Sequence, residues 1–291
     1  MLRKLMLLAL PLLLSWQANA ELRHYVATLE QSQWRVSTSS PLQCTLEHDI
    51  PAYGKAVFTS TSGKDLNLQF VLDMWQKPES VTSAKLLSKA PQWRPGVMSR
   101  TITNLHYKKY FNGEVPKKAA WTMLNELQVG MQPTFYYTDW NDSQSQVAVG
   151  LSAANFQQEY AQFRQCISGL LPYSFDDIAF TVLNYKEGSS DLTPYSKMQL
   201  KRLETYLQYD KNIELVLLDG YTDSYGSKTV NQKMSDKRVA ELKGLLVQQG
   251  IPEVNIRTAG HGENRHVASN MSADQRLVNR RVVIRMSKDV E

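Results

Sequence analysis

Two cysteines, Cys44 and Cys166, are all that this 291-residue chain contains, and what they can do depends on where the chain resides. The first twenty residues, MLRKLMLLALPLLLSWQANA, point to export. Arg3 and Lys4 make a basic start, Leu5–Leu14 an apolar core and Ala18-Asn19-Ala20 a small-residue ending, the layout of a secretory signal peptide. A buried N-terminal helix is the alternative and fits the pattern less well. The apolar run is too short to span a bilayer, and no later segment is long enough. Glu21 rather than cysteine follows the expected cut, which argues against a lipid-anchored lipoprotein. Export places both thiols in an oxidising compartment. A Cys44–Cys166 bond would close a loop of over a hundred residues and contribute about 4–5 kcal/mol through chain entropy. Two buried free thiols are the alternative; the compartment favours the bond. The bond would tie together the beginning and end of one unit. It therefore predicts a boundary just beyond Cys166, with mature domains over 21–171 and 172–291.

About 270 residues remain after cleavage, enough for two domains that each bury a core. The formal net charge of +5 includes Arg3 and Lys4, which leaves +3, too mild to argue for a nucleic-acid partner. Up to Leu171 the pattern is β-rich. DLNLQFVLD alternates with Leu66, Leu68, Phe70 and Leu72 on one face, and LQCTLEHD does so with Leu42, Cys44 and Leu46. GKAVFTST, PTFYYTDW and SQVAVGLS read as further strands. One helix is predicted from Pro116 through KKAAWTMLNEL, and another over AANFQQEYAQFRQC, with Phe156, Tyr160 and Phe163 on one side. Every mature tryptophan (Trp34, Trp75, Trp93, Trp121, Trp140) falls in this half. Most are expected in the core, although an aromatic-rich β-domain also makes a reasonable docking surface.

After Cys166 the rhythm changes. GLLPYSFDD reads as a linker, followed by strand IAFTVLNY, loop KEGSSDL and a helix from Pro194 to about Tyr209 capped by Thr193. Strand IELVLLDG, a helix ending at Gly250, strand NIRTAGHGE, a short helix after Ser272 and strand RVVIRMS complete the chain. The fold class expected is α+β: a β-rich first domain with a few helices, then an α/β layer fold.

The stretch GYTDSYGSKTVNQKMSDKR, Gly220–Arg238, offers a carboxylate, hydroxyls, an amide and a guanidinium, with neither cysteine nor histidine and no metal-ligand spacing. Asp223 sits just past a strand end. Asn231, Ser235 and Arg238 recur at spacings of four and three, so they share one helical face, set against the loop that carries Thr222 and Asp223. This predicts a pocket with a negative and a positive pole, suited to a zwitterion whose ammonium meets Asp223 and whose carboxylate meets the Arg238 fork. A structural salt bridge between Asp223 and Arg238 is an equal alternative. Catalysis lacks its parts. The histidines (His24, His48, His106, His261, His266) are scattered, and Glu263 near His261 has no serine or cysteine nucleophile in a recognisable turn. GHGEN reads as a glycine-rich bend, and GSKTV lacks the order of a phosphate loop. The chain reads as a binding protein, with no catalytic residue, cofactor or metal.

LLDGYTDSYGS with Asn231, Met234-Ser235 and Arg238, then GHGE, then ASN and NRRVVI, resembles the OmpA-like domain of peptidoglycan-associated proteins over about Ile178–Met286. The resemblance implies a βαβαββ-type sandwich that binds the diaminopimelate of the bacterial wall without cleaving it. It puts the binding aspartate at Asp223 and the binding arginine at Arg238. Thr222 and Asn231 match neighbouring pocket positions, and Asn279, Arg280 and Arg281 the closing motif. Tyr221 stands where the family usually has histidine, Val239 interrupts its usual Arg-Ala, and Lys186 falls where an acid or amide is common. The first half, with two expected helices, a disulfide and polar-faced strands, does not read as an outer-membrane barrel of roughly ten-residue strands with aromatic girdles, and no transmembrane helix of a stator B-subunit remains after cleavage. The whole layout resembles the MotY family of sodium-driven polar flagellar motors. That implies a periplasmic T-ring component on the flagellar basal body, working with MotX beneath the outer rings to install and anchor the stator units PomA and PomB. The first domain would dock on the motor and the second grip peptidoglycan. Competing readings are a general wall-anchored envelope protein without a motility role, and a periplasmic hydrolase using His261 and Glu263.

Overall fold

The computed structural model describes residues 22–91 and 93–288, and the signal peptide predicted over 1–20 lies outside them. One sheet of the first half runs in the order β1 (Leu22–Tyr25), β10 (Gln146–Gly150), β9 (Gln132–Thr138), β6 (Thr82–Lys89), β7 (Arg100–Tyr107). β1 pairs in parallel with β10, and the other pairings are antiparallel. The other sheet runs β2 (Trp34–Ser39), β3 (Gln43–Ile50), β4 (Gly54–Thr61), β5 (Gln69–Met74), β8 (Gly113–Val115). In β4 the alternation of GKAVFTST is the burial pattern itself, with Gly54, Ala56, Phe58 and Ser60 inside. In β5 Phe70, Leu72 and Met74 are buried, but Leu66 is exposed and lies outside the strand. The expected face stops short because the chain turns before β5, held by the Asn67 side chain, which accepts the Thr61 amide at 2.8 Å.

Helices α1 (Lys117–Gln128) and α2 (Phe156–Ser168) form where their periodicity places them, and α2 buries Phe156, Tyr160 and Phe163. Cys44 on β3 and Cys166 on α2 are joined as a disulfide. The tryptophans depart from expectation. Trp34 is buried, but Trp75 and Trp93 are 71% and 57% exposed, because they sit in turns beyond strand ends rather than on inward faces.

By compactness the described residues divide into two units: the first takes in residues 22–33, His48–Ala56 and Val71–Ala154, the second Trp34–Glu47, Val57–Phe70 and residues 155–288. In the first unit His48 is fully buried. Its Nδ1 faces the Gln33 carbonyl at 3.0 Å and its Nε2 accepts the Ser152 amide at 3.3 Å. A carbonyl can only accept and an amide can only donate, so the neutral Nδ1–H tautomer is built in. Burial pushes its pKa from the ordinary 6.5 down to about 4. The unfolded chain takes up that proton near pH 6.5 and the folded chain only near 4. His48 thus contributes fully above pH 6.5, and about 3 kcal/mol is lost as pH falls from 6.5 to 4. Denaturation midpoints measured across that window should fall more steeply for wild type than for His48→Gln; parallel curves would refute the assignment.

The second unit holds the sheet β11 (Phe180–Asn184), β14 (Arg281–Ser287), β12 (Leu215–Tyr221), β13 (Ile256–Gly260), preceded by the short α3 (Asp176–Ala179). Its helices are α4 (Pro194–Tyr209), α5 (Lys228–Gln248) and α6 (Ala273–Asn279). The order is βαβαββ, with the short α6 between the last two strands. Thr193 Oγ1 caps α4 by accepting the Ser196 amide at 3.2 Å. Leu203 and Leu207 of α4 and Leu242 and Leu246 of α5 pack with Val216, Leu218, Val282 and Ile284 of the sheet. The stretch read as a linker is tied down in this unit. Leu171 donates its amide to Pro41 at 2.8 Å and accepts that of Gly63 at 3.1 Å, and Leu42 and Leu171 lie against the same core.

Candidate functional site

Helix α5 carries one stripe with two characters. Asn231, Ser235 and Arg238 are buried at its N-terminal end, and Val239, Leu242 and Leu246 further along. Ser227 opens the helix by accepting the Val230 amide. The polar part can come this close to the strand ends because glycines face it. A Cβ on Gly220 would stand 2.8 Å from the Ser235 carbonyl oxygen, and one on Gly260, its partner across β12 and β13, 1.9 Å from Asp236 Oδ1. Thr222, Asp223, Asn231 and Arg238 thereby converge on a cleft of about 220 Å³, joined by Glu187, Gly188, Tyr225, Val230, Met234 and Arg280.

Asp223 pairs with an arginine other than Arg238. Asp223 Oδ2 accepts Arg280 Nη1 at 2.8 Å with both side chains buried, and its Oδ1 accepts the Tyr225 amide at 3.2 Å. Arg238 is 1% exposed and gives its hydrogen bonds to carbonyls: Nη2 to Ser189 at 2.6 Å and Nη1 to Tyr221 at 3.3 Å. Its guanidinium lies 4.4 Å from the centre of the Tyr185 ring. Among the described residues no carboxylate lies within ion-pair distance of Arg238. Burial, reinforced by the neighbouring Arg280, pulls its pKa down to about 10, so it remains a cation at neutral pH. The Asp223–Arg238 salt bridge, the alternative to ligand binding, is therefore absent among the described residues, and Arg280 pairs with Asp223.

Thr222 Oγ1 is buried on the cleft wall with no hydrogen-bond partner among the described residues. An unpaired buried hydroxyl is costly, so it marks a place where a ligand atom would be welcome. Asn231 lines the cleft and donates to Glu263 at 2.7 Å. Ser235 does not reach it; its hydroxyl donates to the Gln232 carbonyl and accepts the Gly262 amide, which fixes the loop after β13. Asn279 secures residues 267–270 by accepting the Val267 and Ala268 amides. Arg281 lies over Tyr221, 4.0 Å from the ring centre. Lys186 is exposed outside the cleft, where Glu187 and Gly188 stand instead. His261 bonds Asp219 at 2.8 Å while Glu263 serves Asn231, so those two residues do not act as a pair. Chemically the cleft offers a buried cation that makes no direct ion pair among the described residues, a carboxylate with lone pairs to spare, and a hydroxyl without a described partner. It can hold a carboxylate beside an ammonium.

A model of the MotY N-terminal domain matches residues 25–172, and one of the OmpA family matches residues 184–280. The sodium-type flagellar protein MotY of Vibrio parahaemolyticus is 41% identical over 266 residues, covering 91% of each chain. The outer-membrane lipoprotein YfiB of Pseudomonas aeruginosa is 36% identical over 93 residues, 32% of this chain and 55% of its own. The crystal structure of the peptidoglycan-associated lipoprotein from Burkholderia pseudomallei aligns with 36% of this chain and 89% of that one, at 19% identity and a TM-score of 0.33.

Proposed function

We propose, given that this chain belongs to the MotY family of sodium-type flagellar proteins, that it is an envelope component of the flagellar motor that holds peptidoglycan non-covalently. The wall's diaminopimelate carries an ammonium beside a carboxylate. In this reading the carboxylate meets Arg238, the ammonium meets Asp223, and Thr222 supplies a further hydrogen bond, with Asn231 setting the cleft wall. Residues 172–291 grip the wall, and residues 21–171 dock on the basal body with MotX. The protein so installed in the T ring of the periplasm gives the stator units PomA and PomB a rigid body to push against. No bond is broken in this role. The observation that carries the reading is the buried Arg238, which among the described residues makes no direct ion pair and faces a cleft that also holds Asp223.

Arg238→Lys tests it with the charge kept. The planar fork is lost, and one ammonium cannot reproduce its two-pronged grip. Sedimentation of the mature chain with purified sacculi should show affinity lowered about tenfold, a loss of about 1.4 kcal/mol. Wild-type binding by a folded Arg238→Lys protein would count against the site. Swimming scored beside envelope integrity in a deletion strain separates the motor role from general wall anchoring.

A further inference from the structure

The first unit has a cleft of its own, of about 200 Å³, with aromatic rings for half of its lining residues. Trp75 is 71% exposed beside it, a large apolar surface left in water. Trp140 lies flat on Tyr137, ring centres 5.1 Å apart and planes 1° from parallel, so this wall is a two-ring slab. The Tyr53 and Tyr137 hydroxyls bond to each other at 2.9 Å. That bond uses one phenolic proton of the two, and no described residue accepts the other. Burial raises both phenol pKa values far above neutrality, so the spare proton stays available as a neutral donor. Asp139, itself buried, accepts Arg23 Nη1 at 2.8 Å, while the Arg23 side chain is 42% exposed with N–H groups to spare.

These features select a ligand class. The Arg23–Asp139 pair neutralises itself, so the cleft asks for no net charge. It offers flat rings for C–H faces, and a mixed set of donors and acceptors for hydroxyls. Its volume is below the about 300–1,000 Å³ of sites for drug-sized molecules, which limits the occupant to about one ring. A proline-rich segment would use the rings, but needs an elongated groove and leaves the ion pair and the phenol without partners. We infer that this cleft binds one pyranose unit of an envelope glycan, stacked on Trp75 and the Trp140–Tyr137 slab and hydrogen-bonded to Arg23, Asp139 and the free phenol.

Calorimetric titration of the full mature chain tests this with the N-acetylglucosamine trimer, peptide-free wall glycan strands and lipopolysaccharide core oligosaccharide. Saturable binding to at least one is expected, and the preferred probe identifies the source. Trp75→Ala, at an exposed position that the fold does not rely on, should weaken it at least about tenfold. Tyr53→Phe, which also takes away the partner of the buried Tyr137 hydroxyl, should weaken it less and lower the thermal transition modestly. Trp93→Ala, which removes another exposed tryptophan outside the cleft, should leave it unchanged. No saturable heat with any of the three sugars, or equal affinity in Trp75→Ala, would overturn the assignment.

Discussion

Cys44→Ser, Cys166→Ser and the double substitution should each lose about 2–5 kcal/mol of stability, and to a similar extent, because each opens the same loop. The bond spans 122 residues and joins β3 to α2, so the unfolded chain gains much freedom when it is broken. Its effect should reach further than the first-half strands. Leu42 and Leu171, near the two cysteines in sequence, lie against the core of β11–β14, α4 and α5. Loosening the bond should therefore lower protection of that core in hydrogen exchange as well. Steady-state amounts in the periplasm should drop, since more unfolded chain is exposed to proteases. Equal denaturation midpoints for wild type and both serine variants would contradict the prediction. So would two free thiols in the native protein denatured without reductant.

What could be read in advance was whatever depends on short-range pattern. The Thr193 cap, the period-two burial of β4, the buried face of α2 and the stripe Asn231–Ser235–Arg238 all follow from spacing and residue type. The disulfide was legible because the compartment left two cysteines one partner each. Two of the strands that went unread, β1 and β7, lack such a pattern. β1 is four largely exposed residues that exist as a strand only through pairing with β10. β7, at a sheet edge, has little apolar content to betray it. The anchoring of Leu171 went unread because its backbone bonds to Pro41 and Gly63 come from far along the chain. Asp223 was placed correctly in its loop, but its partner was not, for the same reason. Arg280 is 57 residues away. It arrives through the antiparallel register of β12 and β14, which sets Tyr221 opposite Arg281 and so brings the preceding arginine to the carboxylate. Nor can spacing tell which member of a helical stripe faces a cleft and which satisfies a backbone amide, and Ser235 does the latter.

Asp223→Ala should be among the most damaging single substitutions in the second unit, for reasons that precede any ligand. Asp223 and Arg280 are both buried and bonded at 2.8 Å, and Arg280 also donates to the Tyr185 carbonyl. Removing the carboxylate leaves Arg280 without its anion and takes from Arg238, buried nearby and disfavoured by Arg280, the favourable field of Asp223. Stripping one partner from such a pair costs about 3–5 kcal/mol. Replacing both by apolar side chains, as in Asp223→Leu with Arg280→Met, removes the unpaired charge together with its partner and should recover much of that loss. Four denaturation curves (wild type, each single variant and the double) give the coupling directly. Additive losses would mean the pair is not a unit. The same experiment disciplines the binding reading. Loss of wall binding in Asp223→Ala is informative only at a temperature where that variant is still folded. Thr222→Val supplies the complementary case, since its hydroxyl has no partner to lose and the fold should be unharmed. If the orphan hydroxyl is there for the ligand, Thr222→Val keeps the midpoint of wild type and sediments more weakly with sacculi. If affinity and midpoint are both unchanged, Thr222 is not a contact, and the grip rests on Asp223 and Arg238 alone.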